Sequence, residues 1–251
     1  MRTIIAASAL AAVSFASTQA YAGMGPKETF IAACEMDKKP GGKPDAAVRA
    51  QIPTAKAIVE ATGKTTCANA WTAATELTKL DASGKAITDI GILMGLTKLT
   101  NVNLSGNEIA DVKPLANLKL TKLDLSGNKI TDVSPLASIT TLTSLNVAKN
   151  QVTDISSLST LTALTELSAN GNSIDKVWAL TDMKGLKKAQ LNNNKIENLA
   201  PLAKNKKLTE LKVKNNPVKN CPDKGKVEVK GKEIENTDLL KGVCKDEAYK
   251  K

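Results

Sequence analysis

The sequence predicts an α/β solenoid in which a unit of about 22 residues is repeated seven times. Two observations support this prediction. An apolar residue that opens a short strand recurs at a nearly constant interval along the chain; these residues are Leu80, Val102, Leu123, Leu145, Leu167, Ala189 and Leu211. Apolar residues fall at offsets 0, 2, 7, 10, 13, 16 and 19 from the start, without exception in the first, third, fourth and fifth units. A fixed period of this length is typical of a solenoid, because stacked units bury one continuous core.

Each unit is predicted to form a strand, a sharp turn and a short helical turn. Offsets 0 and 2 lie on one face of the strand, because side chains alternate between the two faces. From the second unit onward, the turn residue suits a left-handed backbone in five units: Gly106, Gly127, Gly171, Asn193 and Asn215. Lys149 is the exception. Proline stands where the helical turn begins in three units: Pro114, Pro135 and Pro201.

An asparagine follows the turn in six of the seven units: Asn107, Asn128, Asn150, Asn172, Asn194 and Asn216. A polar side chain inside an apolar coil needs hydrogen-bond partners. We therefore predict a ladder of asparagine amides that bond the backbone of neighbouring turns. Lys85 replaces the asparagine in the first unit, which indicates that this unit is partly a cap.

An aspartate recurs at offset 9 in the first four units, as Asp89, Asp111, Asp132 and Asp154. Stacked carboxylates are one way to bind calcium, but a carboxylate at the start of a helical turn also accepts backbone hydrogen bonds. Lys176 and Asn198 occupy this position in later units. That substitution favours capping, so no metal site is predicted.

The consensus Leu-x-Leu-x-x-Asn-x-Ile-x-Asp-Val-x-Pro-Leu resembles the leucine-rich repeat proteins of the bacterial, internalin-like 22-residue class. The resemblance covers roughly residues 77–220. It implies a leucine-rich repeat solenoid with a parallel concave sheet and short helical turns on the convex side. A helical cap at residues 23–76 would precede the seven repeats, and a disulfide-bearing cap at residues 221–251 would follow them. The fold alone does not define the function, which depends on the residues that the scaffold displays.

Residues 1–22 are predicted to be a secretory signal peptide. Arg2 precedes an apolar run at residues 4–15, and Ala20-Tyr21-Ala22 forms an A-x-A cleavage site. No later apolar run reaches the roughly 18 residues that a membrane span needs. We therefore expect an exported protein, either secreted or periplasmic, without a membrane-spanning helix.

Four cysteines remain in the exported chain: Cys34, Cys67, Cys221 and Cys244. An even number of cysteines in an exported chain indicates disulfides, and four cysteines allow three connectivities. The economical pairing is Cys34–Cys67 with Cys221–Cys244, one bond in each cap. A zinc site is a weaker interpretation, because the sequence has no C-x-x-C spacing and no histidine.

The N-terminal cap is predicted to be helical. A short helix is expected at residues 30–36, a second from Pro53 to about Gly63, and a third from Thr66. Trp71 on the third helix is expected to pack between the cap and the first repeat. In the C-terminal cap, Val227 and Val229 suggest a strand, and residues 236–242 suggest a capped helical turn.

The candidate binding surface is the concave face, where the strand residues between the core positions point outward. The predicted binding residues are Lys79, Asp81, Asn101, Asn103, Lys122, Asp124, Ser144, Asn146, Glu166, Ser168, Lys188, Gln190 and Lys212. The face would be roughly 30 Å long, given strand spacings of about 4.8 Å. It holds no aromatic anchor of the kind that dominates tight interfaces. A protein partner and a merely solvated sheet both remain open, and we expect a monomer.

Enzyme chemistry is not predicted. The sequence contains no histidine, which excludes histidine-based triads, and it has no glycine-rich phosphate loop. Asp81 and Asp124 would stand two strands apart, at roughly 10 Å, which is the edge of the spacing of an inverting glycosidase. Neither lies in a predicted apolar pocket that would raise its pKa. We expect neither catalysis nor a cofactor.

The net charge of +10 is concentrated toward the C-terminal end. Residues 175–251 contain 19 lysines and 11 acidic residues, whereas residues 23–174 contain 15 basic and 14 acidic residues. Such an end favours an anionic envelope or extracellular polymer as an alternative partner, or a solvated lysine coat. Arg49 is the only arginine after Arg2, so specific nucleic-acid binding is not expected. The candidate polymer-binding lysines are Lys187, Lys188, Lys212 and Lys214.

Two further hypotheses remain open. The protein is either a binding scaffold or a structural component of the envelope. Trp178 stands where other units carry a small or polar residue, or a lysine, just before the helical turn. Its indole is either packed locally or exposed as an anchor.

Overall fold

The computed structural model describes residues 24–38 and 46–219. Three helices lead into the repeats: α1 (Pro26–Lys38), α2 (Ala46–Thr62) and α3 (Cys67–Ala74). The predicted helices at residues 30–36 and from Thr66 are confirmed as α1 and α3. The predicted signal peptide, Cys221, Cys244 and the C-terminal cap lie outside the described residues. Within the described ranges, no helix combines the length and hydropathy needed to cross a bilayer.

Helix α2 differs from the prediction, because it begins at Ala46 rather than at Pro53. A proline inside a helix removes one backbone hydrogen bond and normally marks a boundary. Here the turns before Pro53 are held by packing, since Val48 and Gln51 are both buried. Their burial offsets the lost bond, so the helix continues through the proline.

Helices α1 and α3 are joined by the predicted Cys34–Cys67 disulfide, whose cysteines lie 33 residues apart. A bond that closes a loop of this length contributes roughly 3 kcal/mol on the chain-entropy model. Trp71 is 7% exposed, and its ring centroid lies 5.2 Å from that of Phe30. A Cβ added at Gly95 would lie 2.7 Å from Cη2 of Trp71, so the indole also packs against the first repeat.

Seven three-residue strands form one parallel sheet in sequence order. They are β1 (Lys79–Asp81), β2 (Asn101–Asn103), β3 (Lys122–Asp124), β4 (Ser144–Asn146), β5 (Glu166–Ser168), β6 (Lys188–Gln190) and β7 (Glu210–Lys212). The central residue of each strand is buried, and its two neighbours face outward. The predicted solenoid and its inward and outward assignments are therefore confirmed.

Six short 3₁₀ helices connect successive strands: Gly91–Gly95, Lys113–Leu115, Ser134–Ser138, Ser156–Thr160, Trp178–Thr181 and Ala200–Lys204. Pro114, Pro135 and Pro201 stand in the first two positions of their helices, as predicted. The turn after each strand has a left-handed residue. Lys149 adopts this conformation with φ of 55°, despite having a Cβ.

The core runs unbroken from the helical cap through the repeats. In the fourth unit, every predicted inward residue from Leu145 to Leu164 is at most 1% exposed. The cap is also joined to the first repeat by polar contacts. The Gln51 side chain donates to Asp89 Oδ1, and Thr54 Oγ1 donates to the Asp89 backbone carbonyl at 2.6 Å. The helical cap therefore covers the first edge of the solenoid, and it is held there by buried side chains and hydrogen bonds.

Candidate functional site: the concave face

Strand pairing arranges the predicted binding residues in rows that run along the solenoid. The pairing register places the first row one residue before the buried central residue of each strand. This row mixes lysines, glutamates and uncharged polar residues. This first row contains Lys79, Asn101, Lys122, Ser144, Glu166, Lys188 and Glu210. Adjacent members are separated by one strand spacing, about 4.8 Å.

A second row follows the central residues and is rich in carboxylates and amides. It contains Asp81, Asn103, Asp124, Asn146, Ser168, Gln190 and Lys212. In the first four strands, each side chain accepts a hydrogen bond from the backbone N–H two residues later, as between Asp124 Oδ1 and Ser126 N at 2.9 Å. Neighbouring members also bond one another, since Asn146 Nδ2 donates to Asp124 Oδ2 at 3.0 Å. These bonds hold the row in a defined geometry.

Asp81, at the start of this row, is stabilised in its charged form by hydrogen bonds. The Ser83 hydroxyl and backbone N–H, together with the Asn103 amide, hold the pKa of Asp81 below its usual range. A general acid in a glycosidase needs the opposite, a carboxyl whose pKa is raised. The geometry therefore gives no support to the glycosidase-like interpretation of Asp81 and Asp124.

The two halves of the concave face differ in how their charges are paired. Toward β7, Lys188 Nζ lies 3.2 Å from Glu166, and Lys212 Nζ lies 3.0 Å from Glu210. Toward β1, Lys79 and Lys122 are exposed, and neither forms an ion pair with another described residue. The N-terminal half therefore presents ammonium groups available to a partner.

This N-terminal half is also where the face is recessed. Outward residues of β1 to β4 line an open recess of about 340 Å³. Lys79 and Lys122 stand on one side of it, and Asp81 and Asp124 stand on the other. A partner that enters the recess meets separate rows of opposite charge.

The asparagine side chains at offset 5 join consecutive turns. Asn150 Nδ2 donates to the carbonyls of Leu125 and Val147, at 2.9 and 3.0 Å, and its Oδ1 accepts from Ile130 N at 3.0 Å. The same pattern recurs at the other five positions: Asn107, Asn128, Asn172, Asn194 and Asn216. Within the described ranges, no buried side-chain nitrogen or oxygen lacks a partner.

The aspartates at offset 9 bond the start of the helical turns. Asp132 Oδ1 accepts from Ser134 N at 2.8 Å, and Asp154 Oδ1 accepts from Ser156 N at 2.7 Å. These backbone bonds, with smaller contributions from the serine side chains, lower the pKa of both carboxyls. Across residues 24–38 and 46–219, no group of three or more acidic or cysteine side chains is placed to hold a metal ion.

Several polar contacts were not predicted from the sequence. Four ion pairs join residues one repeat apart: Lys98–Glu76, Lys129–Glu108, Lys188–Glu166 and Lys219–Glu197. Asn205 occupies an inward position where most units have leucine or isoleucine, and its side chain donates to the Leu180 carbonyl. A comparison of charges at equivalent positions of successive units could have predicted the ion pairs, because residues one repeat apart lie next to each other on adjacent turns.

Trp178 begins the 3₁₀ helix Trp178–Thr181 and is 55% exposed. Local packing therefore does not account for this indole. It lies away from both rows of the concave face, so it is not part of the candidate site described above.

Comparison with known proteins agrees with this geometry. A family model described as leucine-rich repeats in two copies matches residues 75–117, 118–160 and 140–180. Comparison with curated proteins finds no significant match. Internalin C2 of Listeria monocytogenes is 30% identical, with a TM-score of 0.54, and the alignment covers 68% of this chain and 86% of that one. The protein is thus a leucine-rich repeat protein.

Two other solved structures extend the comparison. The functional domain of InlJ from Listeria monocytogenes, described as including a cysteine ladder, is 28% identical over 67% of this chain and 42% of that chain, with a TM-score of 0.50. A leucine-rich repeat protein of Leptospira interrogans shares the fold, at 24% identity over 53% of this chain and 36% of that one, with a TM-score of 0.51. The chain belongs to the internalin-like class of bacterial leucine-rich repeat proteins.

Proposed function

We propose that the protein is an exported, non-enzymatic scaffold that binds another protein through its concave face. Leucine-rich repeats in general form protein-binding scaffolds, and solenoids of this kind use their concave surfaces for binding. The disulfide supports export, because such bonds persist in oxidising compartments.

The observation that carries the proposal is the contrast between the two halves of the face. Lys188 and Lys212 are neutralised by their own glutamates, whereas Lys79 and Lys122 are exposed beside the recess without an ion pair among the described residues. Complementary charge on a partner raises the association rate and excludes wrong partners. We assign the main contact to β1 to β4, with the remaining concave residues at its margin.

The matched pair Lys122→Glu and Lys119→Glu tests this assignment. Both lysines are exposed, but Lys122 lies on the concave face and Lys119 lies in the loop that precedes β3. The protein is immobilised and exposed to envelope and host extracts, and retained proteins are identified by mass spectrometry. We expect a protein partner that the wild type and Lys119→Glu retain and Lys122→Glu loses.

Trp178→Ala separates the concave face from the exposed indole. If the concave face is the interface, this variant retains the same partner. Loss with Trp178→Ala but not with Lys122→Glu would contradict the assignment. A protein that retains no partner in any form would favour the structural-component alternative.

A further inference from the structure

Among the described residues, up to residue 219, the lysines toward the C-terminal end lie on more than one surface. Lys188 and Lys212 lie on the concave face and are paired with Glu166 and Glu210. A second group lies on the segments that lead from a 3₁₀ helix to the next strand. We call this group the lysine flank and define it as Lys184, Lys187, Lys206 and Lys207.

Repeat stacking brings the lysine flank together. Lys184 and Lys206 occupy equivalent positions in adjacent units, one repeat apart. The Lys187 carbonyl accepts hydrogen bonds from Thr209 N at 2.8 Å and Glu210 N at 3.0 Å, which places this segment directly against the next. Four ammonium groups therefore stand on two neighbouring turns, whose backbones are about 5 Å apart.

The charge of the flank is not neutralised locally. All four lysines are exposed, and none makes an ion pair with a described residue. Lys184 Nζ donates to the Thr181 carbonyl at 2.6 Å, a contact that retains the positive charge. Asp182 and Glu210 are the nearby carboxylates, and Glu210 is paired with Lys212, so the cluster keeps an excess of positive charge.

Central units show that this concentration is not a feature of every repeat. The positions equivalent to Lys206 and Lys207 are Thr140 and Thr141 in the third unit, and Thr162 and Ala163 in the fourth. Lys98 occupies the position in the first unit that is equivalent to Lys207, but it is paired with Glu76. The second unit has a single lysine on this segment, Lys119, so among the described repeats only the fifth and sixth units bring several unpaired lysines together here.

We propose that the lysine flank is a second binding surface, distinct from the concave face, that holds a linear polyanion. Lysine ammonium groups act as point charges toward phosphate or other anionic groups and need no fixed geometry in the ligand. A flexible chain can follow the lysines from one turn to the next. The leucines next to these lysines, Leu186 and Leu208, are buried, so neither is available to insert into a bilayer.

Long-chain inorganic polyphosphate is the probe, with binding measured by fluorescence anisotropy over a range of salt concentrations. Four charge contacts predict that affinity falls about 50-fold between about 50 and about 200 mM salt, because each released counterion contributes to the slope. Replacing all four lysines of the flank with glutamine should remove most of this dependence.

The matched control replaces with glutamine four exposed lysines that lie apart from one another: Lys64, Lys113, Lys119 and Lys149. It changes the net charge by the same amount and should retain the polyphosphate affinity within about three-fold, because scattered exposed charges are strongly screened. Equal weakening by both quadruple variants would show that overall charge is responsible, and would overturn the proposal.

Two further arms keep the test independent of folding and of the concave face. The triple variant Lys187→Gln, Lys206→Gln, Lys207→Gln leaves the Lys184 contact intact and should still lose most of the binding. Lys122→Glu should leave polyphosphate binding unchanged, so a failed concave-face proposal would not affect this one. Stronger dependence on the flank with phosphatidylglycerol vesicles than with polyphosphate would show that a membrane surface is the partner, and would contradict the polyanion assignment.

Discussion

Asn150 Oδ1 accepts a hydrogen bond from the backbone N–H of Ile130, 20 residues earlier and one turn away, at 3.0 Å. The same amide donates to Leu125 and Val147, so a single side chain satisfies backbone groups of two turns. Because Asn150 is only 8% exposed, water has little access to replace these bonds. The repeats are therefore joined through asparagine as well as through the sheet.

Asn150→Ala should lower the free energy of unfolding by on the order of 1–3 kcal/mol, because it leaves buried backbone groups without partners. Asn69→Ala is the matched control, since Asn69 is exposed on α3, and it should cost under about 0.5 kcal/mol. Chemical denaturation measures both variants. Equal losses would contradict the role assigned to the ladder.

Asn146→Ala should lower the free energy of unfolding by an amount between those of Asn150→Ala and Asn69→Ala, measured by the same chemical denaturation. Asn146 is predicted from the sequence to face outward, but its side chain is half-buried and bonds both Asp124 and Ala148 N. Its loss should therefore exceed that of a free surface amide.

Lys149→Gly should stabilise the protein by up to about 1 kcal/mol. Lys149 has φ of 55°, a conformation in which a Cβ costs roughly 1–2 kcal/mol. Glycine removes this strain, but it also raises the entropy of the unfolded chain, which offsets part of the stabilisation. Lys119→Gly is the control at an exposed loop lysine without a positive φ, and it should not stabilise. Thermal and chemical unfolding should rank Lys149→Gly above the wild type, and the reverse order would refute the explanation from strain.

Acid should destabilise the protein through its capped aspartates. Hydrogen bonds lower the pKa of Asp81, Asp132 and Asp154 in the folded state. A carboxyl whose folded pKa is depressed contributes stability above its unfolded pKa and loses it as pH falls through the folded value. The stabilisation from these groups should therefore be fully present and independent of pH near neutrality, and the free energy of unfolding should decline below about pH 4.

The variant with Asp81→Asn, Asp132→Asn and Asp154→Asn should show a shallower decline, because an amide accepts the same backbone bonds without titrating. Urea denaturation at several pH values measures the slope. An unchanged slope in the triple variant would assign the acid sensitivity to other groups. The three carboxylates are largely solvated, so each contributes modestly.

Much of the fold could be predicted because the repeat is a local pattern that occurs seven times in the sequence. The inward residues, the turn positions and the prolines at the helix starts follow from a period that matches one turn of a solenoid. The start of α2 could not be predicted in this way. Pro53 is a local signal for a helix boundary, and the burial of Val48 and Gln51 that overrides it depends on contacts with distant residues.

The candidate surfaces were likewise predictable only in part. The sequence by itself determined which residues face outward on the concave sheet, because strand side chains alternate with a period of two. Only the tertiary structure decided which of those charges are neutralised, since pairing depends on which side chains stack on the next turn. It left Lys79 and Lys122 without an ion pair among the described residues while pairing Lys188 with Glu166, and it separated the lysine flank from the concave lysines. A basic stretch of sequence thereby became two surfaces of different character, because neighbours along the chain point to different sides of a solenoid turn.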